Sequence, residues 1–63
     1  DLATSLNNLA VDLGGLGRRE DALTAIEEAV TIRRKLAAAR PEMHQDALGQ
    51  SLQVLSLLQD GQQ

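Results

Sequence analysis

The sequence predicts an all-α fold, an antiparallel hairpin of two helices followed by a third helix. Three observations carry that expectation. Apolar residues recur at helical spacing in three separate stretches. Ala, Leu, Glu, Gln and Arg dominate, and the 63 residues include no Phe, Tyr or Trp, so the aromatic residues that favour strands are missing. The breaks between the stretches carry helix-stopping residues: Gly14, Gly15 and Gly17 after the first, Pro41 after the second.

The first helix is expected from Asp1 to about Gly14. Asp1 suits the N-cap, where a side-chain oxygen accepts an amide proton of the first turn. Leu2, Leu6, Leu9, Leu13 and Leu16 alternate spacings of four and three, flanked by Ala3 and Ala10, which makes one apolar stripe. The glycines then end the helix, because glycine reaches the left-handed conformation that helix ends use.

The second helix is expected from about Arg18 to Arg40. Glu20 and Asp21 in its first turn, and Arg33, Arg34, Lys35 and Arg40 towards its end, suit the helix dipole. Ala22, Ile26, Ala29, Arg33 and Leu36 follow the same four-three spacing, with Leu23, Val30 and Ala37 beside them. The short turn between these two helices makes them antiparallel neighbours. Small residues at Ala10, Ala22 and Ala29 then allow the backbones to approach closely.

Pro41 disfavours helical geometry at Arg40 and closes the second helix. A loop is expected over Pro41 to Gln45, with Met43 tucked against a helix end. Asp46 is the expected N-cap of a third helix, Ala47 to about Asp60, with Gly61 as its stop. Leu48, Leu52 and Leu55 mark its stripe, widened by Val54, Leu57 and Leu58. A stripe that wide calls for a further covering surface.

Several classes of function are excluded or disfavoured. The net charge of −3 opposes an electrostatic grip on nucleic acid. No apolar run is long enough to span a membrane, and there is no signal-peptide pattern. The absence of cysteine removes disulfides and thiolate metal sites and fits a cytoplasmic location. His44, with Asp46 two residues on, is too little for a metal site or a catalytic triad. Glu27 and Glu28 are adjacent on a helix and point apart, so they form no carboxylate pair. Gly14, Gly15 and Gly17 follow a helix, not a strand, and make no phosphate cradle. No catalysis and no cofactor is expected. Arg18 and Arg19, at a helix start, read as solubilising turn residues. Arg33, Arg34 and Lys35 read as a dipole-matched helix end, with an acidic partner as the alternative.

The chain also repeats itself. Moving Leu2 onto Leu48 places Ser5, Leu6 and Leu9 on Ser51, Leu52 and Leu55, and Val11 on Leu57. The third helix therefore reads as the first helix of a following unit, as in a solenoid, an α-α superhelix of stacked helix pairs. The spacing of Leu6, Leu9, Ala10, Leu13, Gly17, Ala22, Ile26 and Ala29 resembles the tetratricopeptide repeat family. The stretches LNNLA and EEAVTIRRKL look most like the longer variant found in kinesin light chains and bacterial multi-repeat proteins. The resemblance implies one complete repeat over residues 1–41 and, over 42–63, the first helix of a second, degenerate or capping repeat. It departs from the family in replacing the usual aromatic residues with Leu and Ile.

The resemblance also implies a function: a non-catalytic module whose concave groove, lined by the first helix of each repeat, binds a peptide or partner protein. By position the groove residues are Thr4, Asn7, Asn8 and Val11, and in the second copy Gln50, Gln53, Val54 and Leu57. An amide such as that of Asn8 can pair with a peptide backbone through both donors and acceptor. Asn7 and Asn8 read equally as solvated polar residues. The basic residues that clamp terminal carboxylates in one variant of the family are missing from these positions. The alternative function is structural self-association through apolar faces. With no Met at position 1, the chain reads as a fragment, a processed product or the ordered part of a longer protein. Further repeats are then expected as neighbours, and the isolated piece is expected to form a homo-oligomer.

Overall fold

The computed structural model describes residues 1–60 and shows three helices, α1 (Leu2–Gly15), α2 (Arg19–Ala39) and α3 (Pro41–Asp60). No strand occurs among the described residues. Helix α2 packs against both α1 and α3, which touch each other less extensively. The all-α hairpin with a third helix is therefore the architecture.

Asp1 caps α1: its Oδ1 accepts the backbone N–H of Thr4 at 2.8 Å. The other end closes on Gly17, at φ 80°. There the amide of Arg18 donates to the Leu13 carbonyl at 2.9 Å and that of Gly17 to the Gly14 carbonyl at 3.1 Å. This is the Schellman arrangement, which satisfies carbonyls that the ending helix would otherwise strand. Of the three glycines, Gly17 supplies the left-handed residue. Gly14 serves close approach instead, since a Cβ there would lie 3.0 Å from Leu58 Cδ2.

The core lies along α2. Ala10, Ile26 and Ala29 are 0% exposed, with Ala25 beside them, and Leu6, Leu23, Val54, Leu55 and Leu58 pack against this cluster. Ala22 is also fully buried. The small side chains at Ala10, Ala22 and Ala29 are what let three helices crowd together without aromatic filling.

The link between α2 and α3 corrects the expected loop. Helix α3 begins at Pro41, so Pro41 to Gln45 is helical and Asp46 lies inside the helix rather than capping it. The hinge is Arg40 alone, at φ −143° and ψ 78°. Proline disfavours helical geometry at the residue before it, and Arg40 lies outside that region. At the first position of a helix, however, its fixed φ is favourable and its missing N–H costs nothing. One proline thus ends α2 and starts α3. The Arg40 carbonyl accepts from Met43 and His44. Met43 is exposed on α3, not tucked in, and His44 is half-buried on the same helix. The stop expected at Gly61 lies outside the described residues.

Candidate protein-binding groove

Two features lie between α1 and α3. Towards the α1–α2 turn is an open apolar cleft of about 490 Å³. Helix α1 contributes Ala10, Val11 and Gly14 to it, and α3 contributes Val54, Leu57 and Leu58; Gly17 and Arg19 close its end. Val11 and Leu57 are 52% and 65% exposed, high values for branched aliphatics at facing positions. Arg19 Nε donates to the Leu58 carbonyl at 2.8 Å, so its guanidinium ties the start of α2 to the last turn of α3.

Further along is a buried polar cluster. Arg33 is 7% exposed and Ser51 0%. Arg33 Nη1 donates to the Ala47 carbonyl at 3.1 Å and to Ser51 Oγ at 2.8 Å, and Nη2 donates to Thr4 Oγ1 at 3.2 Å. Ser51 Oγ in turn donates to Asn7 Oδ1 at 2.9 Å. The cluster joins all three helices. Among the described residues, no carboxylate lies within ion-pair reach of Arg33.

The residues assigned to the groove from sequence thus divide. Val11, Val54 and Leu57 share the apolar cleft. Thr4 and Asn7 are bonded into the Arg33 cluster. Asn8, Gln50 and Gln53 are exposed and line neither feature. Arg33 is not a dipole-matching end residue, since it is buried and the last turn of α2 carries no basic side chain. Its place on the stripe with Ala22, Ile26 and Ala29 was the signal for burial. Arg19 is more than a solubilising residue, since it holds α3, whereas Arg18 is exposed and pairs with Asp21 on the surface.

Among the described residues, no three His, Cys, Asp or Glu side chains gather as metal ligands. No described helix is long and apolar enough to cross a membrane.

The family model for the tetratricopeptide repeat matches residues 2–39, the span of α1 and α2. The chain belongs to the tetratricopeptide repeat family. The match speaks to the repeat in general and not to its kinesin-light-chain-like variant. Repeats of this family typically mediate protein–protein interaction and are generally non-catalytic. Comparison with curated proteins and with solved structures gives no match.

Proposed function

We propose that the chain is a non-catalytic interaction module, a segment of a repeat array that offers the groove between α1 and α3 to an extended segment of a partner protein. Residues 1–41 act as a complete repeat, and 42–63 as the first helix of a second. The observation that carries this reading is the cleft with its exposed Val11 and Leu57. Burying an aliphatic side chain fully is worth about 1.5–3 kcal/mol. Leu57 at 65% exposure therefore has roughly 1–2 kcal/mol still to gain from a ligand.

Self-association is the second reading. It is favoured by the exposure of Leu2 and Leu9 on α1 and of Leu16 just after it. It is favoured also by α3, on which only Ser51 is fully buried although the helix carries six large aliphatic residues from Leu48 to Leu58.

The test combines titration of the ¹⁵N-labelled chain with peptides carrying a branched aliphatic residue and sedimentation of wild type, Leu57→Lys and Asn8→Ala. The module reading expects peptide-induced shifts at Val11 and Val54 that weaken about tenfold in Leu57→Lys. Assembly that collapses in Leu57→Lys, with no peptide response in any variant, favours self-association instead.

A further inference from the structure

The polar cluster beneath the groove has a direction, and the direction specifies a ligand. Arginine has only N–H donors and no acceptor. Ser51 Oγ therefore accepts from Arg33, and its own proton needs another acceptor. Asn7 Oδ1, at 2.9 Å, is that acceptor. A flipped Asn7 amide would leave the Ser51 proton to compete for the Ala47 carbonyl. That carbonyl already accepts from Arg33 and, as a helical carbonyl, from the amide four residues on. With Ser51 fully buried, no water relieves such a competition.

Thr4 follows the same logic: its Oγ1 accepts from Arg33, so its proton points elsewhere. Unlike Thr24 and Thr31, whose hydroxyls bond back to their own helix, Thr4 makes no such bond. Thr4 is exposed and Asn7 half-buried. Three residues apart on α1, they are neighbours on one helix face. The groove at this point shows two outward donor groups, the Asn7 Nδ2–H₂ and the Thr4 hydroxyl, with a buried cation behind both. The neighbouring acid, Asp1, is engaged with the first turn of α1 and forms no ion pair with Arg33.

We propose that this Thr4–Asn7 donor pair, backed by Arg33, is a subsite for a side-chain carboxylate of the bound segment. The proposal rests on the groove reading above and adds the chemistry of its ligand. Donors polarised by a buried charge favour an anionic acceptor over a neutral one. Asn7 and Val11 are one helical turn apart, about 6 Å along the axis. Side chains on one face of an extended segment repeat about every 6.6 Å. The matching ligand therefore carries Asp or Glu separated by one residue from a branched aliphatic that enters the cleft. A segment spanning both subsites runs on past each, so the carboxylate comes from a side chain and not from a chain end.

The probes are short, end-capped Gly/Ser peptides carrying Glu-Ser-Leu or Leu-Ser-Glu at the centre, and the same peptides with Gln for Glu. They are titrated into the ¹⁵N-labelled chain while the Asn7 side-chain amide and the Val11 amide are followed. The Glu peptide in the fitting orientation binds about fivefold or more tightly than its Gln counterpart, and the preference shrinks between about 50 mM and 500 mM salt. Asn7→Asp still accepts from Ser51 and adds a carboxylate near Arg33, so it folds. By replacing donors with acceptors it abolishes or reverses the Glu preference, while Thr4→Val reduces it. Equal binding of Glu and Gln peptides, with Leu57 still required, overturns the carboxylate subsite and leaves the groove standing. Glu preference persisting in Asn7→Asp also overturns it. If the Gln peptide gains affinity only when its C-terminus is uncapped, the anion belongs to a chain end and the side-chain assignment falls. No binding by any peptide at millimolar concentration overturns both readings.

Discussion

The bond between Arg33 and Ser51 is the interaction whose removal is most informative, because the two partners leave different things behind. Arg33→Met removes the charge along with its three hydrogen bonds, to Ala47, Ser51 and Thr4. The Ala47 carbonyl keeps its helical bond, and Thr4 is exposed to water. Ser51 still donates to Asn7. A methionine of similar length fills much of the space, and the desolvation of a guanidinium disappears. The net cost is about 1 kcal/mol. Ser51→Ala leaves the guanidinium buried with one bond fewer and strands part of Asn7. A hydrogen bond to a charged group is worth about 1.5–3 kcal/mol, so this smaller truncation costs about 2–3 kcal/mol. The double variant has no buried cation to strand, and its cost falls below the sum of the singles by roughly 1.5 kcal/mol. Urea unfolding followed by the helical circular dichroism signal gives all three values at constant chain concentration. Additivity within about 0.4 kcal/mol, or a larger loss from Arg33→Met than from Ser51→Ala, refutes the argument that the cost lies in stranding a buried charge.

The glycines separate by backbone geometry. Gly17→Ala forces a side chain into the left-handed region and destabilises by about 1–2 kcal/mol. Gly15→Ala and Gly49→Ala lie in helices with open space around a new Cβ, and each stabilises by about 0.5–1 kcal/mol, read as a raised thermal midpoint. Ile26→Ala, at the fully buried centre of the core, costs about 2–5 kcal/mol, and its urea midpoint falls accordingly. A Gly17→Ala midpoint above wild type, or an Ile26→Ala midpoint unchanged, contradicts the assignment at that residue.

The periodic stripes made the helices and their pairing legible, because burial of one face is written into spacing. The start of α3 was not legible in the same way. Pro41 announces only what it forbids on its N-terminal side, while its fitness as a first helical residue shows only when the next turn exists. Arg33 was placed on the buried stripe by its spacing and then removed from it by its charge. What decided its position was Ser51, Ala47 and Thr4, acceptors scattered along the chain and, for Ala47, a backbone atom with no residue identity. Arg19 is the same case, since its acceptor is the Leu58 carbonyl. The internal repeat gave equivalence but not environment. Ser5 and Ser51 correspond in sequence, yet Ser5 is exposed and Ser51 is fully buried, because the Arg33 guanidinium meets Ser51 on α3 but Thr4, not Ser5, on α1. Val11 and Leu57 correspond too, and here equivalence was enough: both line one cleft.

These contacts also explain how the groove takes its shape. At the turn end, Gly14 lets α1 come so close to α3 that a Cβ would press on Leu58. At the other end, the Arg33 guanidinium stands between the helices, bonded to Thr4 of α1 and to Ala47 and Ser51 of α3. One end is drawn together by the smallest residue, and the other is held by a planar cation with fixed donor directions. Apolar stripes alone tolerate sliding of one helix along another, whereas these hydrogen bonds are directional and are lost within a fraction of a turn. The separation of α1 from α3 is therefore set from α2, by a residue beneath the groove. It follows that the width of the groove depends on Arg33 through geometry as well as through charge.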